Sequence, residues 1–308
     1  MLGQALNDLP FINEKQIEAV LTWQPLMDVL EKAMVDFSAG RVAQPVRQFV
    51  QVPGHDNAMM AAMPAAGEAM AVKVFTLYPQ NSGTDVPTLQ GVILVFDKNN
   101  GTPLAVLDGR LITEMRTAAG SAAAARKLAK INDAIVTIMG NGVQAHSHAK
   151  ALAKIVDFKA FRLWSRNEAR GQALADKIGA TYYADAEQAV RGADIIACTT
   201  AAKEPILDGA WLKKGAFVTS VGWNTADGRE LNDAAMANTV IVESYAVAKD
   251  QAGNIRGSSC EIFAEIGEIY AGTKVVPDGK TIIYDSVGIA IMDVVAAKLA
   301  YDLVSSHP

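Results

Sequence analysis

The sequence predicts an α/β protein of two domains, an α+β domain built on an antiparallel sheet followed by a doubly wound parallel sheet. Three observations predict it. Residues 46–107 hold short β-branched and apolar runs separated by Pro, Gly and Asn, the punctuation of antiparallel strands. Residues 135–242 hold further short apolar runs with helix-like stretches between most of them, the alternation of a sheet covered on both faces. The first of these later runs ends in a glycine-rich turn that opens a helix. A chain of 308 residues, half of them apolar, has material for two medium domains. The expected boundaries are 1–115 for the first domain and 116–289 for the second, with a helix over 290–308 returning to the first.

The elements follow in order. Residues 13–39 read as one helix, because Leu26, Met27, Leu30, Ala33, Met34 and Phe37 recur at spacings of three and four and Gly40 offers a stop. Strands are expected over 46–52, 58–63, 69–78 and 88–107, the last folded into a hairpin at Asn99-Asn100-Gly101. Residues 113–129 are rich in alanine and read as a linking helix with Thr113 as its N-cap. Within it the alanine-rich stretch 118–125 fits close helix packing. Strands of the second domain are expected at 135–139, 161–164, 195–198, 217–221 and 240–242, and a last apolar helix at 291–304.

Composition excludes several classes of function. The net charge is -5 and the basic residues are scattered, so no nucleic-acid partner is expected. The two cysteines, Cys198 and Cys260, have no paired spacing, which excludes a disulfide framework or a Cys-rich zinc site. No metal site is expected at His146-Ser147-His148 either, because residues two apart on a helix point to different faces. Met59, Met60, Met63 and Met70 read as pocket or core fillers. No stretch approaches the roughly 20 apolar residues of a membrane helix, and the Met1 end has no signal pattern. The expectation is a cytoplasmic protein acting on a small molecule.

The glycine-rich turn carries the first chemical signal. Gly140-Asn141-Gly142-Val143-Gln144-Ala145 follows the apolar run Ile135-Val136-Thr137-Ile138-Met139 and opens a helix over about 143–156. Gly140 permits a tight turn, Gly142 lets backbone approach a pyrophosphate, and Ala145 lets helix pack on strand. The helix N-terminus presents unpaired N–H groups to the phosphates. This is the fingerprint of a Rossmann-type dinucleotide domain. The next strand ends in Trp164-Ser165-Arg166-Asn167, with an arginine where an NAD site usually places a carboxylate. A guanidinium pairs with a 2′-phosphate, so NADPH is the expected cofactor and NADH a weaker one. The expected cofactor-binding residues are Gly140, Gly142, Val143, Gln144, Ser165, Arg166, Asn167, Thr199 and Val221.

Three cations of the first domain stand out: Arg47, Lys73 and Arg116. Lys73 interrupts the apolar run Ala71-Val72-Lys73-Val74-Phe75, which marks an edge strand or a site. Arg116, read as lying in the first turn of the linking helix, opposes the macrodipole there and suggests a bound anion.

The sequence resembles the ornithine cyclodeaminase/mu-crystallin family, nearest its ketimine reductase branch. The resemblance runs over nearly the whole chain, through Gln44-Pro45-Val46-Arg47, Leu107-Asp108-Gly109, Arg116-Thr117-Ala118-Ala119, the glycine turn, Glu204-Pro205-Ile206-Leu207, Arg229-Glu230-Leu231, the stretch 261–268 and the stretch 296–302. It implies a homodimer formed through the antiparallel domain and an active site in the cleft between domains. It also implies that Arg47, Lys73 and Arg116 hold a substrate carboxylate, and that Asp227 faces the substrate nitrogen or an attacking water. Lys73 and Asp227 are thus the expected catalytic residues. Thr88, Ser286 and Gly288 are the positions implied to line the substrate and nicotinamide pocket.

The chemistry is coherent on its own. A protonated C=N beside a carboxylate accepts a hydride; cations fix the carboxylate and an acid near the nitrogen favours the iminium. The expected reaction is reduction of Δ1-pyrroline-2-carboxylate or Δ1-piperideine-2-carboxylate to L-proline or L-pipecolate. Alternatives are an ornithine cyclodeaminase or an alanine dehydrogenase of the same family, and a non-catalytic NADPH-dependent binding protein.

Overall fold

The computed structural model of the protein describes residues 8–222 and 228–306. The chain divides into two compact units, residues 1–116 with 289–308 and residues 117–288. Among the described residues no helix is long and apolar enough to cross a membrane.

The first unit is a six-stranded sheet in the order β1-β6-β5-β4-β3-β2, with β1 Phe11–Ile12, β2 Gln48–Gln51, β3 Met59–Ala66, β4 Met70–Leu77, β5 Leu89–Phe96 and β6 Pro103–Asp108. Strands β2 to β6 pair antiparallel, and β1 adds a parallel edge on β6. The side-chain period of two sorts the strands into faces. Met59, Ala61, Met63 and Ala65 of β3 are buried with Ala71, Phe75, Ile93, Val95, Ala105 and Leu107. Over that face packs the C-terminal helix Ala290–Ser306, which also lies on the helix Trp23–Ser38. The other face keeps Val50, Met60, Val74 and Val92 exposed, joined by the pairings Val50 with Met60 and Val74 with Val92.

Two expectations for this unit are corrected. The single helix over 13–39 is two, Glu14–Val20 and Trp23–Ser38, with Leu21 and Thr22 extended between them. Pro25 is the reason: in a continuous helix its ring would meet the carbonyl of Leu21, whereas in the first turn of a new helix its missing N–H is harmless. Asn13 starts the first helix with a capping box closed by Gln16. The linking helix runs over Gly109–Leu128, four residues earlier than expected, and Asp108 Oδ1 accepts from the Arg110 amide at its start. Thr113 is therefore no N-cap. Its hydroxyl donates to the Gly109 carbonyl at 2.7 Å, and Arg116 lies at the end of the second turn, where the macrodipole argument does not apply.

The second unit is an eight-stranded sheet, parallel throughout, in the order β13-β12-β14-β11-β10-β7-β8-β9. Its strands are β7 Ala134–Met139, β8 Phe158–Trp164, β9 Thr181–Tyr183, β10 Ile195–Cys198, β11 Phe217–Ser220, β12 Thr239–Val242, β13 Ile262–Glu265 and β14 Ile282–Asp285. This is the doubly wound, Rossmann-type sheet that the sequence predicts. Strands β9, β13 and β14, of three or four residues each, are absent from the sequence reading. The chain leaves β7 for β8 on one side and returns to β10 on the other. The switch point where such sheets bind ligands therefore lies at the carboxyl ends of β7 and β10.

Candidate active site

The dinucleotide turn stands at that switch point. Gly140 follows β7 with φ of +134°, and a Cβ there would sit 2.5 Å from Thr199 Oγ1, so no other residue fits. Thr199, just past β10, is held by its amide and its hydroxyl, which donate to the Met139 carbonyl at 2.9 and 3.0 Å. Gly142 is the N-cap of the helix Val143–Leu152 and makes no side-chain cap; a Cβ built on it meets nothing within 4 Å. Open space in front of uncapped first-turn amides fits a pyrophosphate. Val143 is exposed and Ala145 fully buried, while Gln144 is half-buried with a side-chain oxygen that has no hydrogen-bond partner among the described residues. The same helix is anchored by His148, whose ring nitrogens lie 2.8 Å from the Gln144 carbonyl and 2.9 Å from Ser121 Oγ. Burial lowers its pKa to about 4, so the ring is neutral.

At the end of β8, Ser165 is buried and donates to the Asn167 carbonyl at 2.8 Å while accepting from Asn141 Nδ2 at 3.2 Å. The Asn167 side chain caps the next helix, Glu168–Ile178. Arg166, between them, is exposed. Val221 continues β11, its amide donating to the Cys198 carbonyl at 3.0 Å. These residues fit a bound dinucleotide.

Three buried acids that sequence reasoning missed frame the carboxyl ends of β11, β12 and β14. Glu230 accepts from the Thr200 amide and hydroxyl with one oxygen, and from Ser220 Oγ and the Gly222 amide with the other, at 2.6 to 2.9 Å. Asn254 joins Ser220 to Asp285, whose pKa burial raises to about 7. Glu243 accepts from Ser286 Oγ and, at 3.1 Å, from the Val287 amide. Ser286 is thus a held residue of the second unit, next to Gly288 with its left-handed φ of +72°. Asp227 lies outside the described residues.

In the first unit the structure brings Lys73 and Arg116 together on an acid that was not foreseen. Lys73, on the buried face of β4 between Met63 and Ile93, is 2% exposed, Arg116 5% and Asp293 of the C-terminal helix 0%. Lys73 Nζ lies 2.7 Å from Asp293 Oδ1, and Arg116 Nε donates to the same oxygen at 3.0 Å. Lys73 also donates to Thr113 Oγ1 at 3.3 Å. Arg116 Nη1 and Asp293 Oδ2 are buried with no hydrogen-bond partner among the described residues. Burial lowers the Lys73 pKa to about 8, with Asp293 opposing the shift and Arg116 and Arg47 adding to it. Burial pushes the Asp293 carboxyl up, but Arg116 and Lys73 beside it hold it below the usual carboxylate range. The asymmetry is physical: one anion serves two cations. Arg47 is half-buried, its guanidinium 5.3 Å over the Phe49 ring. Thr88 is half-buried just before β5, its carbonyl accepting from the Tyr78 amide at 2.8 Å. The signal for Asp293 was a single charge inside the apolar stretch 289–297.

Known proteins resemble this chain over most of its length. The profile of the Ornithine cyclodeaminase/mu-crystallin family matches residues 10–307. The chain is 40% identical over 289 residues to the ketimine reductase mu-crystallin of Mus musculus, covering 91% of this chain and 92% of that one. It is 35% identical to a Delta(1)-pyrroline-2-carboxylate reductase of Bacillus cereus, covering 88% and 89%. The structure of Thermococcus litoralis Delta(1)-pyrroline-2-carboxylate reductase in complex with NADH and L-proline superposes with a TM-score of 0.90 at 30% identity, over 97% of this chain and 98% of that one. The chain belongs to the ornithine cyclodeaminase/mu-crystallin family.

Proposed function

We propose that this protein is an NADPH-preferring reductase of cyclic ketimine acids, converting Δ1-pyrroline-2-carboxylate or Δ1-piperideine-2-carboxylate to L-proline or L-pipecolate. The observation that carries the reading is the unpartnered, buried Arg116 Nη1 beside the buried Lys73. A buried cationic nitrogen without a partner is costly, and an anionic ligand group relieves the cost. In a protein that also carries a dinucleotide turn, that anion is the carboxylate of a small substrate. The relatives support the class: two are named as reductases of such imines, and the Thermococcus enzyme was solved with NADH and L-proline. The protein is an oxidoreductase.

Lys73, Arg116 and Arg47 hold the carboxylate, with Thr88, Ser286 and Gly288 lining the pocket. Fixing the carboxylate orients the adjacent C=N, whose carbon accepts the hydride while its π pair becomes the nitrogen lone pair. A bound reduced nicotinamide supplies that hydride. Asp227 is assigned to the substrate nitrogen, where a carboxylate favours the protonated imine. The cofactor is held by Gly140, Gly142, Val143, Gln144, Thr199 and Val221, with Ser165, Arg166 and Asn167 at the adenosine end. The preference for NADPH rests on the exposed Arg166 and on the absence of a carboxylate from the end of β8, where one would take the ribose hydroxyls.

The exposed apolar face of β2 to β5, with Val50, Met60, Val74 and Val92, supports a homodimer formed through the first unit. Turnover of NADPH with each cyclic ketimine acid, set against pyruvate plus ammonia, tests the activity. Turnover with pyruvate and ammonia alone would move the protein to the alanine dehydrogenase reading.

A further inference from the structure

We propose that Asp293 is a positioning residue for this site, holding Lys73 and Arg116 through one carboxylate oxygen so that the two cations meet a substrate carboxylate as a fixed pair. The inference rests on the reading of Lys73 and Arg116 as the carboxylate clamp.

Two cations buried side by side repel each other and lose their hydration, so an arrangement without an anion is unstable. Asp293 supplies the anion in an unusual way. A carboxylate facing an arginine commonly uses both oxygens and two guanidinium nitrogens in a fork. Here Oδ1 alone takes both cations, Lys73 Nζ at 2.7 Å and Arg116 Nε at 3.0 Å. The guanidinium is thereby engaged at one edge, and its Nη1 stays without a partner. The ammonium has three donors, and the contacts to Asp293 and Thr113 engage two. Thr113 is itself fixed by its bond to the Gly109 carbonyl. The arrangement therefore orients both cations while leaving each a donor for a ligand.

Asp293 also keeps Lys73 charged. The groups that face the ammonium are Asp293 on the C-terminal helix, Arg116 and Thr113 on the helix Gly109–Leu128, Arg47 ahead of β2, and the Phe75 ring at 5.1 Å on its own strand. Of these only Asp293 carries a negative charge. With burial, Arg116 and Arg47 all acting against the proton, loss of Asp293 should lower the Lys73 pKa further and favour the neutral amine.

The test compares D293N, D293E, K73M and the double variant K73M/D293N in the full chain. Binding of furan-2-carboxylate, a planar carboxylate with no titrating ring atom, is followed against pH together with KM and kcat for a cyclic ketimine acid. D293N is expected to raise KM roughly 10- to 100-fold and to move the alkaline loss of furan-2-carboxylate binding from near pH 8 to below about pH 7. D293E keeps the charge one methylene away, so KM rises about tenfold while the alkaline limit stays near pH 8. In the double variant the loss falls short of the product of the single losses by at least tenfold, the signature of residues acting together. A purely structural aspartate would lower activity without moving the pH limit. If D293N does not fold, D293E decides: an unchanged KM overturns the inference. Wild-type KM and pH profile in D293N, with K73M inactive, would overturn it and leave the clamp standing. Wild-type kcat/KM in K73M would overturn the clamp itself.

Discussion

Replacing Lys73 by methionine is the perturbation whose size the structure sets best. At 2% exposure the ammonium cannot be replaced by water when it is removed, so a bound carboxylate loses a charge-assisted contact outright. Truncating one partner of a buried charge pair costs about 2 to 5 kcal/mol, which is roughly 30- to 5,000-fold in kcat/KM. The fold should survive. Methionine at this position of β4 faces Met63 and Ile93, and Asp293 keeps Arg116 as its partner, so the substitution leaves no buried charge uncompensated. NADPH binding should be unaffected, because the dinucleotide turn belongs to the other unit. The assay is kcat/KM for a cyclic ketimine acid together with NADPH affinity by fluorescence and a melting curve. The wild type adds a pH signature. Its Lys73 pKa is depressed to about 8, so the cation is present below that value and lost above it, and affinity for furan-2-carboxylate should fall about tenfold per pH unit beyond pH 8. In the K73M protein that alkaline fall should vanish. An unchanged kcat/KM, or an alkaline fall that persists in K73M, would refute the reasoning.

Three further outcomes follow from other parts of the molecule. Arg166→Ala should weaken NADPH roughly 10- to 100-fold, the loss of one or two charge-assisted contacts, and leave NADH affinity unchanged; equal loss for both dinucleotides in titration would contradict a 2′-phosphate contact. Gly142→Val places its branched side chain in open space on extended backbone, so the melting temperature should hold while dinucleotide affinity drops at least about tenfold; retained affinity would remove the phosphates from this turn. Val74→Glu puts a charge on the exposed apolar face, and light scattering should find a dimer for the wild type and a monomer for the variant; a variant dimer of unchanged strength would move the interface elsewhere.

What could be read from sequence followed how far each signal extends along the chain. The glycine turn was legible because Gly140 is demanded by local backbone and, with Gly142, sits between a five-residue apolar run and a helix. The alternation of strands and helices was legible for the same reason. β14 was not legible: whether Ile282 and Ile283 lie in a strand is decided by β11 and β12 beside them. The break after Val20 was written in Pro25 but outweighed by the apolar spacing of Leu26 to Phe37. Lys73 could be picked out because it interrupts an apolar strand. Asp293 interrupts an apolar helix in the same way and was passed over, since its meaning depends on partners far away in sequence. Arg116 shows the limit of a local argument. The macrodipole reason for noticing it fails because the helix starts at Gly109, and it is the tertiary partner Asp293 and the open Nη1 that distinguish it. Glu230, Glu243 and Asp285 carry no local signal of burial, because their partners Thr200, Ser220, Asn254 and Ser286 come from four separate places in the chain.

The central claim is tested most directly by following reduced-cofactor absorbance with purified protein, NADPH and Δ1-pyrroline-2-carboxylate or Δ1-piperideine-2-carboxylate, with NADH run in parallel. The account predicts rapid NADPH oxidation, slower NADH oxidation, and the L-amino acid formed in equal amount to the cofactor consumed. NADPH that binds but is not oxidised with either ring would contradict it and point to a binding protein. Release of ammonia from L-ornithine without added cofactor would contradict it in favour of a cyclodeaminase.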